Sequence, residues 1–289
     1  MTRQNDEWGT TWQHRDDPVF QIDSCNSMTY PNGDTLPGIW ITQPIKDGKG
    51  GYDGRTYMMI YPLPSLYENF FPESDPDDAD GEIALYYGGG YYDEGMGYTD
   101  PADHAKRVDC FKAAEVLYRH AAGRGNAVAN LCLGYVYSYD RCEGDYYRGA
   151  EASGADGRKR PYPREERAFE CLSIAAEADI PEACYKLGDM YKHGTGCDPD
   201  AAEAFRWYVR ASELAVRESP VILGSVALRL AGCYEEGFGC NPDFTRALDW
   251  YEKAIDGLEA AVDGGAVWYE KALIGARAGA KRCRQELQP

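Results

Sequence analysis

Hydrophobic and small residues in the C-terminal half of the chain return in the same order after 43 residues. Ala183, Leu187 and Tyr191 follow one another at intervals of four, which predicts one face of an α-helix. A second helical face follows a glycine-rich turn. The identical pairs are Leu187/Leu230, Tyr191/Tyr234, Gly194/Gly237, Gly196/Gly239, Cys197/Cys240, Pro199/Pro242, Asp200/Asp243, Ala204/Ala247, Trp207/Trp250, Tyr208/Tyr251 and Ala211/Ala254.

Each copy of the pattern predicts a helix, a turn and an antiparallel helix. Gly194 and Gly196 end the first helix, because glycine adopts left-handed backbone angles at low cost. Asp198-Pro199 is then predicted to be the N-cap and first position of the second helix, and Asn241-Pro242 repeats the arrangement. Because one hairpin cannot bury its apolar face alone, stacked copies predict an α-solenoid.

Two less regular copies precede these. The earlier one matches Ala84 to Gly97 and then Ala114 to Ala121, with a nine-residue insertion between its halves. The later one matches Ala129 to Tyr137 and then Ala168 to Ala175, with an insertion of 18 residues at about 144–164 that is expected to be an exposed loop. The stretch from Val262 to Leu287, including Trp268 and Leu273, predicts a last helix pair or a cap over the open end.

The motif A-x-x-x-L-G-x-x-Y-x-x-G-x-G, followed by D-x-x-x-A-x-x-W-Y-x-x-A, resembles the Sel1-like repeat, a relative of the tetratricopeptide repeat. The resemblance covers about residues 82–260. It implies an α/α superhelix that serves as a scaffold for protein complexes. The predicted fold is therefore mainly α, with the solenoid at residues 82–289.

Residues 1–81 lack helical periodicity and form a separate predicted region. Extended segments at 38–42 and 56–61 alternate with turn signals, which favours β-hairpins or an irregular arm. The run Thr29-Tyr30-Pro31-Asn32-Gly33-Asp34 resembles one unit of a MORN-type hairpin repeat. Residues 74–81 are acidic, which is typical of a linker.

Charge and hydropathy restrict the partner and the compartment. The formal net charge of −18 argues against nucleic acid and anionic membranes, whose recognition needs basic surfaces. No apolar run is long enough to span a bilayer, and the polar N-terminus lacks a signal peptide. These features predict a cytoplasmic protein without membrane insertion. The sequence leaves the oligomeric state open.

Candidate chemistry is sparse. The ten cysteines include no CxxC pair, and the four histidines form no metal-binding motif, so no cofactor and no enzymatic activity are expected. Some secreted Sel1-like proteins linked to β-lactams carry a disulfide between cysteines eight residues apart. Here Cys184 would face Ala176, and Ala227 occupies the same position in the next copy. Because the paired position does not hold a cysteine, this chain is expected to lack the disulfides of those secreted Sel1-like proteins.

The leading hypothesis is a protein–protein interaction scaffold that binds a protein or peptide on its concave face. In related solenoids the first helix of each pair lines that face. Several tyrosines, including Tyr146 and Tyr147, are expected off the core stripe. The alternatives are a structural or regulatory module of a bacterial contact or effector system, and an enzyme acting on β-lactams or the cell wall. The predicted contact residues are Tyr135, Tyr139, Tyr185, Lys186, Asp189, Lys192, Arg229, Glu235 and Glu236.

Overall fold

The computed structural model describes residues 80–146, 162–215 and 220–288, and the backbone of seven strands within residues 2–62. The chain divides into two compact units. One comprises Met1–Asn126 with Arg141–Arg160, and the other comprises Ala127–Asp140 with Pro161–Pro289. The domain boundary expected at residue 81 stays a prediction. Tyr147 and most of the 144–164 insertion lie outside the described residues.

Seven strands occupy the N-terminal part of the first unit. Five of them form an antiparallel sheet in the order β1-β2-β3-β6-β7, and β4 pairs with β5. The extended segments expected at 38–42 and 56–61 lie in β6 and β7, which pair Ile41 with Met59. The strands are β1 Thr2–Asp6, β2 Gly9–Gln13, β3 Gln21–Asp23, β4 Met28–Thr29, β5 Thr35–Leu36, β6 Gly38–Lys46 and β7 Tyr52–Pro62.

The rest of the first unit that the structure describes is helical. The short 3-10 helix Pro101–Asp103 joins two α-helices, α1 and α2, which pack against each other. The glycine run at 88–90 lies within α1, and Gly88 faces the Tyr118 ring. A Cβ atom at Gly88 would lie 2.7 Å from that ring. The helices are α1 Glu82–Gly97 and α2 His104–Gly123.

The described part of the second unit consists of successive helical hairpins and a last helix. Helix α3 packs on α4, α5 on α6, and α7 on α8, as the repeat pattern predicts, while α9 packs on α8. No helix in the described ranges is both long enough and apolar enough to cross a membrane. The helices are α3 Ala127–Ser138, α4 Arg164–Glu177, α5 Pro181–His193, α6 Ala201–Ala215, α7 Pro220–Glu236, α8 Phe244–Asp263 and α9 Glu270–Glu286.

The core of the second unit is built from the repeated small and apolar residues. Leu187 and Leu230 on the first helices, and Tyr208 and Tyr251 on the second helices, are buried. Gly188 lies against Tyr208, where a Cβ atom would come within 2.6 Å of the ring. The small residue therefore allows the close approach of the two helices of a hairpin.

The turn glycines also fix the spacing between hairpins. Gly194 and Gly196 have φ angles of +66° and +70°, so they adopt the left-handed conformation that the sequence predicts. A Cβ atom at Gly196 would overlap the carbonyl oxygen of Glu165 in α4, and one at Gly239 would overlap that of Ala201 in α6. Each turn thus touches the backbone at the start of the preceding hairpin's second helix.

The predicted N-caps are wrong by two residues. Helix α6 begins at Ala201, and the Asp200 carboxylate accepts hydrogen bonds from the backbone N–H groups of Ala202 and Glu203, at 2.9 and 3.0 Å. Asp243 is the N-cap of α8 in the same way. Pro199 and Pro242 therefore lie in the turns that precede these helices. In the first turn, the backbone N–H of Asp200 donates a hydrogen bond to the Tyr191 carbonyl oxygen at 3.0 Å.

The C-terminal stretch forms one helix preceded by the 3-10 turn Val267–Tyr269. Leu273, Ala276 and Ala280 are buried against α8, as their helical spacing predicts. Trp268, which the same stretch includes, is 73% exposed. It lies in the 3-10 turn before α9 begins, and therefore does not follow the helical phase of the residues after it.

Candidate functional site

An open groove of about 230 Å³ runs along α3, α4 and α5 in the second unit. Its lining comes from the end of α3 and from α4 and α5. Three of the predicted contact residues line this groove: Tyr139, Lys186 and Asp189. Three of the residues that the sequence singles out therefore lie around the same groove.

Lys186 is held by aromatic rings. Its Nζ lies 5.3, 5.6 and 5.5 Å from the ring centres of Tyr135, Tyr139 and Tyr185, and it donates a hydrogen bond to the Tyr139 hydroxyl at 3.1 Å. Tyr135 and Tyr139 stack with their planes 8° apart. Lys186 forms no ion pair with a described carboxylate. Cation–π contacts therefore orient the ammonium group without neutralising it.

Asp189 is the centre of a closed hydrogen-bond network. It accepts two hydrogen bonds from Arg229, from Nε at 2.7 Å and from Nη2 at 2.6 Å, and one from the Tyr208 hydroxyl at 2.8 Å. Burial by itself would lower the pKa of Arg229, but the hydrogen bonds and charge of Asp189 outweigh burial and raise it. The carboxylate is thus already satisfied within the protein.

The expected exposure of Tyr185 is wrong, since only 6% of this residue is accessible. The Arg229 guanidinium lies 4.5 Å from its ring centre and covers it from the next hairpin. The hydroxyls of Tyr135 and Tyr185 both donate to Glu182 Oε1. Burial raises the pKa of both phenols, so they remain protonated donors. Tyr146, in the first unit, is also buried rather than off the core.

The other predicted contacts do not line the groove. Lys192 lies over the Phe238 ring at 5.3 Å, and Glu236 is exposed at the end of α7. Glu235 accepts hydrogen bonds from Arg282 at 2.7 and 2.8 Å and from the Tyr251 hydroxyl at 2.5 Å. Whether any of the nine residues contacts a partner stays a prediction.

Arg164, Leu172 and His193 line the groove but are not among the predicted contacts. Leu172 is a core position in the repeat pattern, and it also lines the groove. Arg164 lies directly after the long insertion, where the repeat alignment gives no helical phase. Its Nη1 donates to the carbonyl oxygen of Tyr137, which attaches the start of α4 to the end of α3.

No disulfide joins two of the cysteines in the described ranges, and four of these cysteines are buried: Cys142, Cys184, Cys233 and Cys283. Cys184 Sγ donates a hydrogen bond to the Ala176 carbonyl at 3.6 Å, which is the position where a disulfide partner would lie. Burial raises the pKa of Cys184 to about 11. This thiol is therefore protonated at neutral pH and suits packing better than nucleophilic chemistry.

The chain is similar in part to one curated protein and to solved structures. Over 97 residues, 33% of this chain, the sequence is 33% identical to the chitin synthase regulator SKT5 of Saccharomyces cerevisiae, and the match spans 11% of that protein. The crystal structure of a Sel1 repeat protein from Oxalobacter formigenes is similar with a TM-score of 0.46 and 20% identity, covering 78% of this chain and 85% of that one.

A second solved structure is that of c5321, a protective antigen present in uropathogenic Escherichia coli strains and displaying an SLR fold. Its TM-score is 0.29 at 19% identity, with 74% of this chain and 57% of that chain covered.

The Sel1 repeat family model matches the chain in three places, at residues 158–180, 181–216 and 225–257. These segments contain α4, then α5 with α6, then the greater parts of α7 and α8. The resemblance to the Sel1-like repeat is confirmed in these three segments, where the chain carries Sel1 repeats, and over residues 82–157 it stays a prediction.

Proposed function

We propose that the chain is a protein–protein interaction scaffold that binds a protein or peptide in the groove along α3, α4 and α5. Sel1 repeat proteins generally mediate interactions between proteins. The observation that carries the proposal is the pairing of exposed Tyr139 with the ring-held ammonium of Lys186 at the groove wall.

The chemistry of the groove suits a short peptide segment. Tyr139, with about half of its surface exposed, offers a large amphipathic ring with few rotatable bonds, which suits binding surfaces. Lys186 offers hydrogen-bond donors to a peptide carbonyl or carboxylate, and its orientation is fixed before the partner arrives. Preorganised groups lose less entropy on binding. Asp189 is committed to Arg229 and Tyr208, so we assign it a positioning role.

The test is affinity capture with the full chain from native lysate, followed by quantitative mass spectrometry. Proteins captured by the wild type should be lost with Tyr139→Ala and with Lys186→Ala. Ile174→Ala is the matched control, because Ile174 is exposed to the same degree as Tyr139 and does not line the groove. Isothermal titration with the purified partner should show binding at least tenfold weaker for both groove variants.

Equal capture by the wild type and both groove variants would reject this surface. Alanine at Tyr185 or Asp189 is a poorer test, because both residues hold the fold. Tyr185 is buried, and Asp189 joins α5 to α6 and α7. A loss of binding by either variant could then reflect local unfolding.

A regulatory role for the same surface is the second candidate. It is supported by the similarity to a yeast protein described as a chitin synthase regulator, over the shared 97 residues. A captured partner that is an enzyme, and whose rate changes when the chain is added, would favour regulation over passive scaffolding. The bacterial contact or effector setting stays a hypothesis.

We also propose that the chain is not an enzyme and acts in the cytoplasm. Sel1 repeat folds are typically non-catalytic scaffolds. Hydrolysis of the chromogenic β-lactam nitrocefin by the purified chain, above the rate with a heat-unfolded sample, would contradict the first statement.

A further inference from the structure

The outer face of α9 and the turn before it expose large apolar side chains. Val267, Trp268 and Ile274 are 60%, 73% and 66% exposed, more than the other large hydrophobic side chains in the described ranges. Ile274 lies on α9 itself, while Val267 and Trp268 lie in the 3-10 turn that precedes it. Exposed apolar side chains that lie close together often mark a surface that binds a partner.

The opposite face of α9 is firmly attached. Leu273, Ala276 and Ala280 are buried against α8, and Gly279 lies directly against the Tyr251 ring. The exposed apolar residues therefore stand on or next to a helix that is fixed in place. Three arginines of α9 add ion pairs to neighbouring helices: Arg277 with Glu259, Arg282 with Glu235 and Arg284 with Glu252.

Lysines bracket the apolar surface. Lys271 and Lys281 are exposed on α9 before and after Ile274, and neither forms an ion pair with a described carboxylate. Helix α9 carries five basic and two acidic side chains, in a chain whose formal net charge is −18. At a rise of about 1.5 Å per residue the two lysines lie about 15 Å apart along the helix.

We propose that the surface formed by Lys271, Ile274 and Lys281 on one face of α9, together with Trp268 in the turn before it, binds an acidic amphipathic helix of a partner protein. Apolar side chains of the partner would pack on Trp268 and Ile274, and carboxylates on the same helix would reach the two lysines. This is the helix-against-apolar-face mode of recognition, with charges at the rim setting specificity. The surface is separate from the groove and does not depend on its function.

The same charges disfavour two other occupants. Antiparallel self-pairing of α9 from two copies, centred between Ile274 and Ala278, would set Lys271 of one copy against Lys281 of the other. Like charges in that arrangement oppose the contact. A membrane with anionic lipids would bind two lysines weakly, and the net charge of −18 opposes its approach.

The experiment uses the full chain and a fluorescein-labelled helical peptide of 18 residues, with leucines on one face and glutamates along both edges of that face. A second peptide has glutamine in place of each glutamate. Fluorescence anisotropy should show at least fivefold tighter binding of the glutamate peptide, although the net charge of the chain would predict the reverse. Trp268→Ser and the double variant Lys271→Glu/Lys281→Glu should each weaken that binding at least tenfold.

Ile174→Ser is the matched control, because it removes an exposed apolar side chain elsewhere in the second unit. It should bind the glutamate peptide like the wild type, and circular dichroism should show equal helix content in all variants. Equal binding of both peptides, or equal binding by the face variants and the control, would overturn the proposal. The proposal would also be overturned if the wild-type chain dimerised through Trp268, or if it floated with phosphatidylserine vesicles and the Trp268→Ser variant did not.

Discussion

Arg229 on α7 donates two parallel hydrogen bonds to Asp189 on α5, at 2.7 and 2.6 Å, and thereby joins successive hairpins. Tyr208 on the intervening helix donates to the same carboxylate. One acidic side chain thus contacts both helices that follow it. Asp189 and Arg229 are about one quarter exposed, so the pair is partly protected from solvent.

Asp189→Ala should lower the free energy of unfolding by about 2 kcal/mol, because it leaves a half-buried guanidinium and a phenol without their acceptor. Urea denaturation followed by circular dichroism measures the change. Asp198→Ala, in the exposed turn between α5 and α6, should remain within about 0.5 kcal/mol of the wild type. If both variants had equal midpoints, the network would have no net stabilising effect.

Double-mutant cycles should give a larger coupling free energy for the Asp189–Arg229 ion pair than for the Glu235–Arg282 ion pair, which joins α7 to α9. The Asp189–Arg229 coupling should be about 1–2 kcal/mol, and the Glu235–Arg282 coupling should be below about 1 kcal/mol. The reason is solvent screening, because the Arg282 side chain is 56% exposed while that of Arg229 is 27% exposed. A larger coupling at the more exposed pair would contradict this ranking.

Acid should weaken the contribution of Glu235. The hydrogen bonds from Arg282 lower the pKa of this carboxyl below its ordinary value, against the opposing effect of burial, and Tyr251 adds to the lowering. A carboxyl group whose pKa is lower in the folded state than in the unfolded state stabilises the fold at pH values above its unfolded-state pKa of about 4.3. That stabilisation is lost as the pH falls through the folded-state pKa.

The unfolding free energies of the wild type and Glu235→Gln should therefore differ most near pH 7 and converge toward pH 3. Urea titrations at several pH values measure this difference. Glu236→Gln, one residue further along and exposed, is the control and should follow the wild type throughout. A constant difference between wild type and Glu235→Gln would show that ionisation is not the cause.

Gly196→Ala should be far more destabilising than Gly265→Ala. Both glycines have positive φ angles, so each alanine would cost about 1–2 kcal/mol from its backbone conformation. Only Gly196 faces a neighbouring backbone, since no atom lies within 4 Å of a Cβ placed at Gly265. Thermal unfolding should therefore show a markedly lower Tm for Gly196→Ala, and similar values would mean that the hairpins separate easily.

The repeat alignment predicts what lies inside one hairpin better than what lies between hairpins. It identifies the buried faces of Leu187 and Tyr208 and the left-handed turn at Gly194, because these depend on local spacing. It does not identify Asp189 and Glu235, the acidic residues of the ion pairs with Arg229 and Arg282. Asp189 aligns with Gly232 and Glu235 aligns with Lys192, so the acid moves by about one helical turn while its tyrosine partner keeps its place.

The same limit explains the errors at the candidate site. Tyr185 lies off the core stripe of its own hairpin, yet Arg229 from the following hairpin covers it. Residue spacing puts Trp268 in one helical stretch with Leu273, but Trp268 lies in a 3-10 turn and Leu273 in the α-helix that follows it. Long-range packing in the first case and a change of helix type in the second lie beyond what residue spacing encodes.

The contacts of Gly196 and Gly239 with the main chain of the preceding hairpin bear on how far this chain could be re-engineered. Main-chain atoms are the same whatever side chains surround them, so substitutions around the turn would leave the distance between hairpins unchanged. Side chains that line the groove, such as Tyr139 and Lys186, could then be replaced without moving the helices that carry them. One glycine in each turn is enough to keep side-chain variation separate from the spacing of the repeats.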